Sequence, residues 1–224
     1  MHPAFRMGAT EALGAHTIAM AATFIAFGAA VRAAGFGLGW GLASSAGVYG
    51  MAGQMVLLGA RPGASAAAVA GAIMANARFL PMAAALAPLV RGPLAPFCVP
   101  FVAITPWAAA MRHLPGLPPP DRARWFLGFA LTVWTIGLLT TTLGYAVAGQ
   151  LSPAVLRLLL MVNVLYFALM IAAGMARGGP WRASLGGAAA APLALLLPAG
   201  VPPAWGILGA ALIGGTAAFL LRRR

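Results

Sequence analysis

The sequence predicts an all-α membrane protein, a polytopic transmembrane helix bundle. Three observations carry this reading. First, 62 % of the residues are hydrophobic and only 7 % are charged, with a mean hydropathy of +0.93. A water-exposed domain keeps roughly a quarter of its residues charged, so lipid is expected to cover the outside. Second, the length of 224 residues, at about 20 apolar residues per ~30 Å crossing, gives room for about seven or eight spans in a single domain. Third, the apolar runs are continuous and rich in Leu and Ala, unlike the ~10-residue alternating segments of a membrane barrel.

Spans are expected at 11–33, 37–59, 64–90, 94–111, 125–149, 154–175, 183–199 and 204–221, within one transmembrane domain over 1–224. The last two are separated only by the turn from Pro198 to Pro203, so they read as two crossings or as one broken excursion. The first run exceeds the ~7–15 residues of a signal-peptide core, so a cleaved leader is not expected. All fourteen basic residues are Arg, and the only acids are Glu11 and Asp121. The arginines fall at span ends, where orientation signals belong. They do not form the basic face of a nucleic-acid binder, and no nucleic acid is expected as a partner. Basic and uncharged connections alternate. The loop 112–124, the segment holding Arg177 and Arg182, the C-terminal arginines and the N-terminus with Arg6 are therefore expected inside. Arg32 and Arg91 then fall outside, against the trend. Cys98 stands alone, which excludes an internal disulfide and a cysteine metal cluster, and no cofactor is expected.

Two spans carry the candidate site. The second is rich in glycine, and its Gly35/Gly39 and Gly37/Gly41 pairs have the spacing for close helix contact. Within it, Gly50-Met51-Ala52-Gly53-Gln54 sets an amide beside bare backbone, and such an amide needs a partner or water inside a membrane. The third span is longer than the bilayer core and holds Asn76-Ala77-Arg78-Phe79-Leu80-Pro81. Pro81 cannot donate to the carbonyl of Ala77, which predicts a kink or opening there. On an intact helix Asn76 and Arg78 would point about 200° apart, so they face one cavity only if the helix is irregular. Discontinuous second and third helices are the result, with Gly50, Gly53, Gln54, Asn76 and Arg78 lining one substrate cavity. Freed carbonyls and amides suit the two charges of a zwitterion. The planar fork of Arg78 suits a carboxylate. The plainer alternatives are glycines serving packing alone and Arg78 reaching a lipid interface.

The remaining polar residues are few. Glu11 and His16 read either as a proton relay or as the entrance of the first span, and His2 and His113 read as facing solvent. Thr140, Thr141 and Thr142 are expected to bond back to their own helix. Two acids and three dispersed histidines cannot build the catalytic sets of intramembrane enzymes, so no enzymatic activity is expected.

With those motifs in place, residues 8 to 175 resemble the AzlC-type branched-chain amino acid permeases. The resemblance rests on three stretches: Phe27-Gly28-Ala29-Ala30-Val31-Arg32-Ala33-Ala34-Gly35, Gly50-Met51-Ala52-Gly53-Gln54, and Asn76-Ala77-Arg78-Phe79-Leu80-Pro81. Trp134, Gly137 and Gly144 are similar to the family's fifth span. It implies the large subunit of a two-component exporter of branched-chain or other small hydrophobic amino acids, multi-pass in a bacterial inner membrane. It also implies a small hydrophobic AzlD-like partner of roughly 100 residues, long enough for about four helices. The alternatives are a permease or channel for another small solute, and a non-transporting membrane scaffold. Two departures stand out. Thr105-Pro106-Trp107 occupies the place of the family's Thr-Asp-Glu element, and Asn163 stands where an aspartate is common.

Overall fold

In the computed structural model, residues 1–60, 65–176, 192 and 203–222 are described. Among them every regular element is helical, and there is no strand. The expected span at 183–199 lies outside the described residues.

The organising element is α9, Pro119–Val147, preceded by α8, Ile104–His113. Proline at the first position of α9 and Asp121 in its first turn suit a helix start, where a free N–H is not needed and negative charge meets the helix dipole. One face of α9 is buried from Trp125 through Phe129 and Val133 to Thr141. Its hydroxyls behave as their spacing predicts. Thr140, Thr141 and Thr142 donate to the carbonyls of Ile136, Gly137 and Leu138.

Helix α2, Ala15–Ala33, runs parallel to α9. His16 stacks on Phe129, Phe24 meets Gly137, Gly28 lies against Thr141, and Arg32 donates to the carbonyls of Tyr145 and Ala146. These pairs keep an offset of 113 or 114 residues, which is the signature of parallel neighbours in register. Glycine permits the approach: a Cβ on Gly28 would overlap the Thr141 carbonyl, and one on Gly144 would overlap the Ile25 carbonyl. Arg32 thus closes the C-terminal end of α9 instead of standing alone outside, a favourable place for a cation.

The first expected span begins later than the sequence suggested. Residues 3–11 form a separate helix, α1 (Pro3–Glu11), which lies along the start of α9. A second glycine pair sets this contact, because a Cβ on Gly8 would overlap Trp125 backbone and one on Gly128 would overlap Phe5 backbone. His2 and His113 are exposed, as expected, and each also meets an acid. His2 Nε2 lies 3.7 Å from Asp121, and His113 Nδ1 lies 3.3 Å from Glu11. Both acids of the chain are therefore engaged at the α1 end. His113, Trp125, Phe129 and His16 continue as a ladder of stacked rings.

The middle of the chain is built from short helices: α3 (Leu38–Gly47), α4 (Met51–Leu58), α5 (Ser65–Asn76) and α6 (Phe79–Leu86). Helices α5 and α6 meet at an angle of 41°. The expected fourth span, 94–111, is not one helix. It is the single turn α7 (Ala95–Cys98), a 3-10 turn over Val99–Phe101, and then α8. Pro96, Pro100 and Pro106 each remove an N–H, so the backbone cannot hold one uninterrupted ladder there. Helix α10, Pro153–Ala176, follows the expected sixth span, and a last helix covers Pro203–Arg222. Among the described residues three helices are long and apolar enough to cross a membrane, or four if the bent α5–α6 pair is one span. Seven or eight crossings then require the other short pairs to count as crossings too.

Three of the four glycines expected to pack helices at the second span do not do so. Gly35 has a φ of +80° just past the end of α2, and a Cβ on Gly35, Gly37 or Gly39 would meet nothing within 4 Å. Only Gly41 of that set packs closely, against Val31. Gly35 serves chain reversal, since positive φ costs glycine nothing.

Candidate functional site

The site begins with an interruption between α3 and α4 at Val48-Tyr49-Gly50. Tyr49 has a φ of +43°, a left-handed conformation that a bulky residue adopts only when its surroundings hold it there. Its ring does so, being buried in the core cluster with Met20, Phe24 and Val133. A helix end leaves carbonyls without partners, and inside a membrane side chains must supply them. Two do so here. Trp134 Nε1 donates to the Ala46 carbonyl at 3.3 Å, and Asn76 Nδ2 donates to the Val48 carbonyl at 3.3 Å. Trp134 reaches this break from α9, and Asn76 from the last residue of α5.

Asn76 fits because two glycines make room for it. A Cβ on Gly50 or on Gly53 would collide with its carboxamide. The glycines thus act by admitting Asn76, more than by joining helices. With Nδ2 engaged, Asn76 Oδ1 is buried without a hydrogen-bond partner. Asn76 also lines an open groove of about 530 Å³ whose other walls include Val48, Leu57, Val69, Ile73 and Leu80. The groove is apolar apart from this amide.

Gln54 is fully buried in the second turn's reach of the same helix start. It does not line the groove. Nε2 donates to Ser45 Oγ at 3.1 Å, while Oε1 has no partner. Arg78 lies at the turn between α5 and α6, with its guanidinium 5.6 Å from the centre of the Phe79 ring and Nε buried without a partner. The helix is indeed irregular there: the Ala77 carbonyl, which Pro81 cannot serve, accepts from Leu80 N at 3.0 Å. Of the five expected site residues, Gly50, Gly53 and Asn76 are brought into contact, and Asn76 alone lines the groove. Gln54, fully buried, and Arg78, half-buried, each keep one unpartnered buried atom, Oε1 and Nε, and neither lines the groove.

Several groups were not assigned to the site from sequence. Ser45 and Thr141 hold Gln54, and Tyr49 and Ser44 add further buried hydroxyls without partners. Local spacing offered no signal for Ser45 and Thr141, which are 96 residues apart. At the departed element, Pro106 and Trp107 lie in α8, with Trp107 Nε1 buried and unpartnered. Among the described residues no group of His, Cys, Asp or Glu is placed to hold a metal ion.

Apolar helices long enough to cross a bilayer, together with the family match that follows, define an integral membrane protein of a transport-related class. The family described as AzlC protein matches residues 16–151, and the chain belongs to that family of AzlC-type branched-chain amino acid permeases. No curated protein and no solved structure matches the chain.

Proposed function

We propose that the chain is the large, translocating subunit of an exporter of branched-chain or other small hydrophobic amino acids. The observation that carries this reading is the single amide of Asn76, seated against a broken helix and opening onto an apolar groove. Ligand sites of this kind combine apolar walls with a few fixed polar groups. Transporters commonly place them where helices are interrupted. In this reading α3–α4 and α5–α6 are each one broken crossing. The ligand's aliphatic chain lies between Val48, Val69 and Ile73, its ammonium meets the amide of Asn76, and its carboxylate takes the Arg78 fork. The family membership supports transport as the activity.

The partner is a small AzlD-like membrane subunit. Labelled leucine and valine should leave vesicles holding both chains and should stay in vesicles holding either chain alone. Equal efflux from the large chain by itself would remove the two-component reading, and no efflux from the pair would remove the substrate.

The proposed site is in a bacterial inner membrane with both chain ends inside. The parallel course of α2 and α9 requires their N-terminal ends to share one side, which agrees with the basic loop before α9 and the N-terminus lying together. Cysteines at Gly116 and Arg224 should resist an impermeant thiol reagent added to intact cells. Labelling of both would reverse the orientation.

A further inference from the structure

The hydrogen bonds behind Gln54 run in one direction. Thr141 Oγ1 lies 2.8 Å from the Gly137 carbonyl, Ser45 Oγ lies 3.0 Å from Thr141 Oγ1, and Gln54 Nε2 lies 3.1 Å from Ser45 Oγ. Each hydroxyl has one proton. If Thr141 gives its proton to Gly137, Ser45 must donate to Thr141 and accept from the Gln54 amide. All three bonds are then made. The reverse polarity, with a flipped Gln54 accepting from Ser45 and Ser45 accepting from Thr141, leaves Gly137 without its hydroxyl and makes only two. Gln54 and Thr141 are 0 % exposed and Ser45 is 1 % exposed, so a forfeited bond is not replaced by bulk water. A lost bond in such a place costs about 1–3 kcal/mol. The three-bond polarity therefore holds, and it commits the Gln54 NH₂ to Ser45 while leaving Oε1 as a buried acceptor without a partner.

Asn76 is held with the same polarity by a different device. Its NH₂ is committed to the Val48 carbonyl, and Oδ1 is left as a buried acceptor. Two carboxamides at one helix start, Gln54 within α4 and Asn76 against Gly50 and Gly53, thus both offer oxygen and withhold nitrogen. Neutral oxygens in a low-dielectric interior favour a cationic donor. The chain has no other acid to offer there, because Glu11 and Asp121 are engaged with His113 and His2 at the α1 end.

We infer that Ser45 and Thr141 are positioning residues that keep the buried Gln54 carboxamide oxygen free, as an acceptor for the ammonium group of the transported solute when it passes the α3–α4 break. The relay makes the site selective for an amino acid over the matching 2-oxo acid, which lacks the donor. This rests on the proposed amino acid transport and adds the part of the solute that is read. A site built for a hydrogen bond rejects an analogue lacking the donor, because its own group is then left unpaired.

The test uses inside-out vesicles carrying the chain with its small partner. Ser45→Ala and Thr141→Val should raise the KM for labelled leucine about tenfold or more with maximal flux nearly unchanged, corresponding to loss of about one hydrogen bond. Thr141→Ser, which keeps the hydroxyl, should restore the parental KM. Inhibition of the parental flux by 4-methyl-2-oxopentanoate should be weak, and equally weak in all variants. Three results would overturn the relay: leucine KM unchanged in Ser45→Ala and Thr141→Val, inhibition by the oxo acid changing in step with leucine KM, or a parental leucine KM that follows sodium and loses that dependence in the variants. The last would assign the oxygens to a metal cation. A parent pair that moves no amino acid refutes the proposed function first, and the relay falls with it.

Discussion

Gly144→Leu should leave little folded protein in the membrane, whereas Gly39→Leu should be recovered at the parental level. Both are glycines in helices of the same chain, and the difference is what lies beyond the missing Cβ. At Gly144 it is the backbone carbonyl of Ile25, and at its counterpart Gly28 it is the carbonyl of Thr141. Backbone cannot rotate away as a side chain does, so α2 and α9 must separate. Overpacking by even small groups costs about 1–3 kcal/mol, and here the strain falls on an interface that continues from His16 to Arg32. Total stability is only about 5–15 kcal/mol. Gly144→Ala should therefore lower the melting temperature measurably in detergent, and Gly144→Leu should abolish a monodisperse peak on size-exclusion chromatography. At Gly39 a side chain meets open space. Parental melting for Gly144→Leu would show that the α2–α9 contact does not organise the fold.

The same pair shows how far sequence reasoning reaches. Low charge, continuous apolar runs and the ordered glycine, glutamine and asparagine motifs were legible, because they depend on solvent and on local chemistry. Gly28 and Gly144 stood inside stretches quoted as motifs, yet nothing local distinguished them from Gly37 or Gly39. A glycine's role is fixed by what crosses it, and that is a tertiary fact. Helix α1 escaped notice for a related reason. Its nine residues are too few to form a stable helix alone, and its place is set by Phe5 and Gly8 lying on α9. The prolines at 96, 100 and 106 were visible, and reading them as helix breakers would have divided the fourth span. At the site, Asn76 and the two glycines that admit it were legible as a pattern. Ser45 and Thr141 were not, because a serine and a threonine in apolar helices carry no local sign of having each other as partners.

Asn76→Ala should reduce leucine flux at least tenfold while leaving the protein in the membrane, and Gly53→Ala should do nearly the same by displacing the Asn76 amide instead of removing it. Asn76, which lines the apolar groove, has two features: Nδ2 closes the Val48 carbonyl, and Oδ1 is a buried acceptor without a partner. Removing it deletes the acceptor and leaves a carbonyl at the break without its side-chain partner, a loss of about 1–3 kcal/mol for a buried group. A methyl on Gly53 would come within 2.7 Å of Asn76 Nδ2 and 3.1 Å of the Ala72 carbonyl, so the amide must shift off the break. Gly47 lines the same groove with nothing within 4 Å of a Cβ, and Gly47→Ala should transport normally. Arg78→Lys completes the set. The guanidinium rests on Phe79 and holds Nε unpartnered in the interior. Lysine keeps the charge but loses the planar fork that grips a carboxylate, so flux should fall with expression unchanged. Parental flux in Arg78→Lys would assign the arginine to the bend between α5 and α6 alone. Parental flux in both Asn76→Ala and Gly53→Ala would move the solute away from the α3–α4 break.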